Sequence, residues 1–167
     1  MTQEEFKICF DHWFDEVRNY ISYRCGDPEL ATDVAQEAFL KIWEKKIEYQ
    51  ENRTKGLLYK IANELWISQY RKSVSAKKYQ FSFALKEKVL EGVNETEDQL
   101  YYQELKEKYE LALGKMPEKR RVVFLMSRMD NLTYQEIAER LSLSAKAVEK
   151  RMNLALKDLR KILSHEK

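Results

Sequence analysis

The sequence has few of the residues that end or bend chain segments, with four Gly and two Pro among 167 residues. So few turn formers argue against a β-sandwich or barrel and favour long helices. Cysteine and histidine are equally scarce. Cys9 and Cys25 have no metal-ligand spacing and the only histidines are His12 and His165, so we expect no zinc site and a reduced cytoplasmic setting.

Long apolar runs are also absent, and the N-terminus is acidic from Glu4 onward, so neither a signal peptide nor a membrane span is expected. The chain has no glycine-rich phosphate loop and no pairing of a nucleophile with a base, which argues against an enzyme, a cofactor or a small-molecule substrate. What it has in quantity is apolar residues (44%) and charged residues (35%). Together these predict an all-helical fold with a heavily charged surface.

Charge is distributed unevenly along the chain, although the net charge is only +2. Residues 1–51 carry 6 Lys/Arg against 12 Asp/Glu, a net of −6, and residues 52–88 carry 9 against 2, a net of +7. Residues 89–118 carry 3 against 8, a net of −5, and residues 119–167 carry 12 against 6, a net of +6. Two basic zones separated by acidic ones indicate two nucleic-acid contact surfaces; the alternative is chance clustering in a highly charged protein.

The C-terminal basic zone contains two helices joined by a tight turn, between Leu132 and Leu163. Thr133 and Glu136 predict a capping box at the start of the first helix. Ser142 lies in the turn, where glycine is common because of its freedom at positive φ, and Ser144 can cap the second helix. The apolar spacing predicts that both helices bury one face, through Ile137, Ala138, Leu141, Leu143, Val148, Met152, Ala155, Leu156 and Leu159.

The opposite face of the second helix is polar and mostly basic, with Lys146, Glu149, Lys150, Asn153 and Lys157. Two closely coupled helices with such a face are typical of a helix-turn-helix that reads the DNA major groove. The alternative is an ordinary helical hairpin whose charges are only solvated.

The N-terminal half begins with two predicted helices. Aromatic and aliphatic residues recur at helical spacing over residues 4–24, and Gly26 ends that helix. Asp27 caps the next helix and Pro28 occupies its first position, where a missing N–H has no cost. This second helix is expected to reach about Ile47.

A loop and a third helix follow. Residues 48–55 have no apolar period and are predicted to be a loop, after which residues 57–72 give another helix. Tyr70, Arg71 and Lys72 at its end combine a ring with cations. That combination suits a single strand, since cations neutralise phosphates and rings stack on unpaired bases.

Residues 73–97 lose clear periodicity, and we interpret them as a linker with one short helix at about residues 83–90. This stretch is the only plausible domain boundary. Beyond it, helices are predicted over residues 99–113 and from Pro117 onward.

Taken together, these segments resemble a bacterial RNA polymerase sigma factor of the sigma-70 type, in the small extracytoplasmic-function group. DPELATDVAQEAFLKIWEK resembles the core-binding helix of sigma region 2, and LLYKIANELWISQYRK resembles its promoter-melting helix. LGKMPEKRRVVFLMSRMDNLTYQEIAERLSLSAKAVEKRMNLALKDLR resembles sigma region 4. The resemblance implies an all-α chain of two small domains and a flexible linker, with region 2 at residues 1–75, the linker at 76–98 and region 4 at 99–167.

The resemblance also implies residue roles. The surface for the β′ clamp helices of core polymerase would be Asp33, Gln36, Glu37 and Leu40. Contacts to the −10 element, including a flipped-out base, would come from Tyr49, Gln50, Asn52, Arg53, Thr54, Asn63, Arg71, Lys72, Lys77 and Lys78. Contacts to the −35 element would come from Thr133, Tyr134, Lys146, Glu149, Lys150, Arg151 and Asn153. The segment from Arg120 to Arg128 would help to dock on the β flap.

The function so implied is that of a transcription initiation factor, not an enzyme, that directs core RNA polymerase to promoters and assists melting of duplex DNA. An anti-sigma factor is a further partner that the resemblance allows. The alternative function is a stand-alone helix-turn-helix repressor or activator, which would bind a palindromic operator as a dimer and without polymerase.

Overall fold

The structure is a computed structural model that describes residues 1–72 and 99–164. These residues form seven α-helices and no strand, which confirms the all-helical prediction. The predicted linker at 76–98, its short helix, Lys77, Lys78 and His165 lie outside the described residues. The helices are α1 Gln3–Cys25, α2 Pro28–Glu44, α3 Glu51–Leu65, α4 Gln99–Lys115, α5 Glu118–Met129, α6 Tyr134–Leu141 and α7 Ala145–Ser164.

The junction between α1 and α2 is as the sequence predicts. Gly26 ends α1 with φ 68°, in the left-handed region that glycine adopts without a steric penalty, and its N–H donates to the Ser22 carbonyl. Asp27 then caps α2, because one of its carboxylate oxygens accepts from the N–H groups of Glu29 and Leu30 at 3.0 and 3.2 Å. The angle between the first two helices is therefore set by a two-residue connection, Gly26 and Asp27.

The predicted loop at residues 48–55 is wrong from Glu51 onward, where α3 has already begun. Thr54 accounts for the early start. Its hydroxyl accepts from the backbone N–H of Gln50 at 3.1 Å, its own N–H donates to the Gln50 carbonyl at 2.7 Å, and its side chain is fully buried. A polar residue thus anchors the first turn, and Gly56 lies inside the helix. The connection from α2 is correspondingly short and includes Lys46 at φ 47°.

The helix predicted over residues 57–72 changes its winding near its end. After α3, residues Trp66–Tyr70 form a π-helical turn, in which the Arg71 N–H donates to the Trp66 carbonyl. Such a turn holds one extra residue and alters the direction of the side chains that follow. The Tyr70 hydroxyl thereby donates to Glu37 on α2 at 2.9 Å.

Helices α1–α3, which we call the N-terminal unit, bury a core rich in aromatic and branched residues. The largest contributions come from Val17, Ile21, Val34, Phe39, Ile42, Leu58 and Trp66. Helices α4–α7, the C-terminal unit, bury a second apolar set in which α5 and α4 pack against α7. Its largest members are Leu113, Leu125, Met126, Ile137 and Met152.

The two units also pack against each other. Helix α5 lies on α1, and α6 lies on α3, so α1 contacts helices of both units. Neither contact was predictable from helical spacing or charge along the chain. Within the described residues no helix is long and apolar enough to cross a membrane, and no group of three His, Cys, Asp or Glu side chains is placed to hold a metal ion.

Candidate nucleic-acid interface

The helix-turn-helix consists of α6 and α7, and polar caps define both helices. The Thr133 hydroxyl accepts from the Glu136 N–H at 3.2 Å, and the Glu136 carboxylate accepts from the Thr133 N–H at 2.8 Å. This backbone hydrogen bond holds the pKa of Glu136 below its ordinary value. Ser142 makes the turn with φ 55°, and the Ser144 hydroxyl accepts from the Ala147 N–H at 3.1 Å. The predicted capping box, the serine turn and the second cap are confirmed.

Of the nine apolar residues predicted to be buried here, six are buried, and Leu141, Leu143 and Leu156 are half-buried against the core. Ile137 and Val148 are fully inaccessible and Ala138 is 3% exposed, so the two helices meet through small and branched side chains. Met152, Ala155 and Leu159 continue the buried stripe along α7 against α5. This packing holds α7 rigidly with its other side toward solvent.

The solvent side of α7 presents four of the predicted −35 residues. Lys146, Glu149, Lys150 and Asn153 are all exposed, and their spacing of three, four and seven residues places them on one helical face. Lysine donates to guanine, asparagine pairs with adenine, and glutamate accepts from cytosine, so the face carries groups suited to base edges. It has the polarity of a major-groove recognition face.

Arg151 is set apart from that face. Its side chain is half-buried and lines a cavity between the two units, where its charge acts on the phenol of Tyr20 in α1. Thr133 and Tyr134 are exposed at the first turn of α6, the positive end of the helix dipole. Six of the seven residues predicted for the −35 element are therefore on the outer surface, and Arg151 is not.

The residues predicted for the −10 element near the start of α3 differ in accessibility. Gln50, Asn52 and Arg53 are exposed, whereas Tyr49 is half-buried and stacks on Trp13, with ring centroids 6.2 Å apart. Thr54 is buried and engaged with the backbone of Gln50, as described above. In this arrangement Thr54 supports the neighbouring residues and presents nothing to a base.

Asn63 lies on α3 and is half-buried at the cavity between the units. Its amide oxygen accepts from the Tyr20 hydroxyl at 3.3 Å and from the guanidinium of Arg24. Both donors come from α1. The polar group predicted to contact a melted base is therefore already hydrogen-bonded within the protein. Farther along, Arg71 and Lys72 are exposed beside the π-helical turn.

The structure brings two predicted site residues from different units into one cavity. Asn63 and Arg151 line a space of about 230 Å³ together with Arg24 and Glu118. The exposed face of α7 is not part of this cavity. One residue assigned to each promoter element, Asn63 and Arg151, is thus held between the units, whereas most of the other predicted site residues are exposed.

Five charged residues connect the units, and four of them (all but Arg121) were not predicted from the sequence to be site residues. Arg24 and Glu16 on α1 pair with Glu118 and Arg140, and Arg121 reaches the end of α1 from α5. Nothing in the sequence distinguishes them from the many solvent-exposed charged residues in the same helices. The arginines of the predicted β-flap segment, Arg120 to Arg128, differ in their accessibility. Arg121 is buried, Arg120 pairs with Asp158 at 2.8 Å, and Arg128 is exposed.

The predicted polymerase-binding surface lies on α2. Asp33, Gln36 and Leu40 are exposed on one helical face, and Leu40 is 52% accessible. Glu37, on the same face, is half-buried because it pairs with Lys41 and accepts from Tyr70. An exposed leucine surrounded by acidic and amide groups is suited to a protein partner with a basic helical surface.

Comparisons with known proteins agree with this arrangement of segments. A family model described as Sigma-70 region 2 matches residues 9–75, and one described as Sigma-70, region 4 matches residues 106–159. The RNA polymerase sigma factor YlaC of Bacillus subtilis is 26% identical over 162 residues, covering 95% of this chain and 92% of that protein. The ferric citrate uptake sigma factor FecI of Escherichia coli is 31% identical over 121 residues, covering 72% of this chain and 68% of that protein.

Among solved structures, the sigma factor RpoE of Bartonella quintana, crystallised in complex with the anti-sigma factor NepR, has a similar fold. The TM-score is 0.61 with 18% sequence identity, and the match covers 98% of this chain and 99% of that chain. At this identity the likeness concerns the fold alone.

Proposed function

The chain belongs to the sigma-70 family of RNA polymerase sigma factors, and from this premise we propose how its surfaces divide the work of promoter recognition. It is a transcription initiation factor whose partners are core RNA polymerase and promoter DNA. The observation that carries the proposal is the order of two matched regions, 9–75 and 106–159, on helices with different exposed chemistry.

We assign duplex recognition to the C-terminal unit. The exposed face of α7, with Lys146, Glu149, Lys150 and Asn153, supports reading of base edges in the major groove of the −35 element. Thr133 and Tyr134 at the first turn of α6 are assigned to phosphate, which would fix the register of α7 on the duplex.

We assign capture of the melted strand to the N-terminal unit. Gln50, Asn52 and Arg53 are exposed at the start of α3, Tyr49 adds a ring there, and Asn63 lies farther along the same helix. Such a set offers donors, acceptors and a stacking surface for an unpaired base. Binding the open strand better than the duplex would shift the equilibrium toward melting, and no catalytic group is required for that. Lys77 and Lys78 are assigned to nearby phosphates.

Attachment to polymerase is assigned to α2 through Asp33, Gln36, Glu37 and Leu40, with α5 near Arg128 facing the β flap. The two domains are placed at residues 1–75 and 99–167, with the linker at 76–98. A cytoplasmic location follows from the partner, since transcription takes place there.

The first prediction separates melting from duplex binding. Gln50→Ala, Asn52→Ala and Asn63→Ala combined should lower the yield of open complex roughly tenfold or more, because three polar contacts are lost at about 1 kcal/mol each. Duplex binding at the −35 element in the holoenzyme should be unchanged. The measurement is permanganate footprinting of melted thymines beside protection of the −35 duplex.

Glu64→Ala is the matched control, because Glu64 is an exposed neighbour of Asn63 on α3 whose pair with Lys60 is solvated. Normal melting by the triple variant would refute the assignment of the N-terminal unit. Run-off transcription with purified core enzyme on a library of promoter-like templates tests the function as a whole.

The alternative of a free-standing helix-turn-helix regulator is not favoured. It would leave the match over residues 9–75 without a role, since a sensing or dimerisation domain needs no polymerase-binding region. Tight binding to a palindromic duplex without polymerase, together with failure to stimulate run-off transcription, would restore it.

A further inference from the structure

The side-chain amide of Asn63 has a fixed polarity. Its oxygen accepts from the hydroxyl of Tyr20 at 3.3 Å and from the guanidinium of Arg24, and both donors come from α1. An amide oxygen has two lone pairs, so these two donors saturate it. Because a guanidinium has donors and no acceptor, the atom of Asn63 that faces Arg24 is the oxygen and not the nitrogen.

The two donors are themselves held in place. Arg24 follows Tyr20 by one turn of α1, and its guanidinium donates to the Tyr20 oxygen at 3.1 Å. Since that oxygen accepts from Arg24, its own hydrogen is directed to Asn63, and the three groups form an ordered chain. Tyr20 is 5% exposed and packs on Tyr59, with ring centroids 5.2 Å apart. Burial raises the pKa of the Tyr20 phenol, so the hydroxyl remains protonated and able to donate.

This chain of hydrogen bonds belongs to the N-terminal unit. Arg24 also pairs with Glu118 of α5, but through Nε, whereas its Nη1 serves both Tyr20 and Asn63. The bond from Tyr20 to Asn63 involves α1 and α3 alone. The polarity of the amide is therefore set by helices of region 2.

The group that Asn63 has left to offer is its nitrogen. Asn63 is half-buried beside the cavity, and within the part of the chain that the structure describes no group accepts from its Nδ2. The side chain can therefore donate to a ligand but has no lone pair left to accept with. An unrestrained asparagine pairs with adenine through both amide atoms, accepting from N6 and donating to N7. Asn63 cannot pair in that way.

We propose that Tyr20 and Arg24 are positioning residues that make Asn63 a donor only, so that the melted base of the −10 element is selected at this residue by its acceptor atoms. Ring nitrogens and carbonyl oxygens of a base qualify, and an exocyclic amino group does not. An amino group brought to Asn63 would meet N–H groups and lose its hydration without a partner. The inference rests on the proposed function in one respect, the assignment of Asn63 to the melted strand.

The test uses the holoenzyme and a double-mutant cycle between one side chain and one atom of the base. A promoter library with every base at each −10 position first locates the position whose base preference in open-complex yield is lost in Asn63→Ala. The preferred base there is then replaced by deaza or deoxo analogues, which lack one acceptor, and by the deamino analogue, which lacks the amino group. The coupling is the ratio of each loss in wild type to the same loss in Asn63→Ala.

Loss of the contacted acceptor should lower the yield of open complex about fivefold more in wild type than in Asn63→Ala, which corresponds to one hydrogen bond of ordinary net strength. Loss of the amino group should affect both proteins equally. In Tyr20→Phe combined with Arg24→Met the amide can turn, so the coupling to the acceptor should fall and a coupling to the amino group should appear. A merely structural role would lower the yield on all templates alike and leave these ratios unchanged.

Tyr59→Phe combined with Glu118→Gln is the matched control. It removes a hydroxyl from the ring beside Tyr20 and the carboxylate that pairs with Arg24, yet leaves both donors on Asn63. Its couplings should equal those of wild type.

If the variant without Tyr20 and Arg24 fails to fold, Asn63→Asp takes its place. An aspartate keeps one oxygen for both donors and presents a second oxygen where the amide nitrogen was. The coupling should then move from the acceptor of the base to its amino group.

A wild-type coupling to the amino group would overturn the proposal and leave Asn63 assigned to the melted strand. So would unchanged couplings in the variant without both donors or in Asn63→Asp, or a control that loses the acceptor coupling. An Asn63→Ala variant that alters base preference at no −10 position would instead refute the assignment of Asn63, and this inference with it.

Discussion

Ser142 is one of three described non-glycine residues with positive φ, beside Lys46 and Asn131. Asparagine tolerates this region, but serine and lysine meet a clash between Cβ and the following carbonyl. At Ser142 the reason for the conformation is local. The turn must reverse the chain between α6 and α7 so that Ile137 and Val148 can meet in the core.

Ser142→Gly should therefore stabilise the protein. Removing Cβ relieves about 1–2 kcal/mol of strain in the folded state. The greater conformational entropy of glycine in the unfolded chain offsets part of this gain, so we expect the free energy of unfolding to rise by roughly 0.5–1 kcal/mol. Urea unfolding measures it. Ser142→Ala, which keeps Cβ, serves as control and should give no gain. Equal stability of the glycine and alanine variants would show that the turn is not strained.

Residue roles were predictable from the sequence only where chemistry and exposure agree. The face of Lys146, Glu149, Lys150 and Asn153 follows from helical spacing alone, and the structure exposes all four. Thr54 could not be interpreted in this way. Its residue type suits a DNA contact, and only the folded chain reveals that its hydroxyl is buried against the backbone of Gln50.

At the scale of the element, two helices share one device. Both α1 and α6 begin with a complete capping box, formed by Thr2 with Glu5 and by Thr133 with Glu136. The first box starts a long helix near the chain terminus. The second starts a helix of eight residues at the proposed DNA surface. A short helix gains little from its own propagation, so it depends more on its cap.

Thr133→Ala and Thr2→Ala form a matched pair for this reason. Each should lose about 1 kcal/mol of capping free energy. Only Thr133→Ala should weaken binding of the −35 duplex, by about fivefold or more, because α6 frays and its first turn no longer positions α7. Anisotropy with labelled duplex and purified holoenzyme gives the affinity. Equal effects of both variants on DNA binding would contradict the assignment of α6.

Helix boundaries were predictable wherever the sequence contains a recognisable capping residue. Gly26, Asp27 with Pro28, and Thr133 all give helix ends that the structure confirms. The start of α3 was missed because its anchor is a buried threonine without any apolar period around it. The π-helical turn at Trp66–Tyr70 was missed for a related reason. It involves the buried Trp66, and no spacing of residues in the sequence distinguishes it from an ordinary helix.

For the molecule as a whole, α1 is the common support of both units. It packs with α2 and α3 on one side and with α5 on the other. Sequence patterns identified each unit, but not this contact. Its pairs join residues about a hundred positions apart, such as Arg121 with Tyr23, and each partner taken alone resembles an ordinary surface charge or ring.

Native thiols report on the contact between α1 and α5 without added labels. Cys9 and Cys25 are both buried, and burial raises the pKa of each to about 11, so neither is reactive in the folded molecule. Cys25 lies in the last turn of α1, where the charge of Arg121 acts on it, whereas Cys9 lies in the first half of the helix. Opening between α1 and α5 should therefore expose Cys25 alone.

Arg140→Glu places a carboxylate against Glu16 and weakens the contact between the units. We expect it to speed the reaction of Cys25 with an aromatic disulfide several-fold at pH 8 and to leave Cys9 unchanged. Absorbance of the released thiolate measures both rates, and Cys9→Ser and Cys25→Ser assign them. Acceleration of both thiols would indicate general loosening of the N-terminal unit and would count against a separation confined to α1 and α5.

Arg121 performs two tasks with one side chain, since it completes the junction of α4 and α5 and also holds the end of α1. A substitution there would loosen the C-terminal unit and its contact with α1 at the same moment. Adjustment of that contact, whether by natural drift or by an engineer, is accordingly confined to the peripheral carboxylates. Relatives in which the two units pack less firmly should then differ at positions equivalent to Glu16 or Glu118, and keep the arginine.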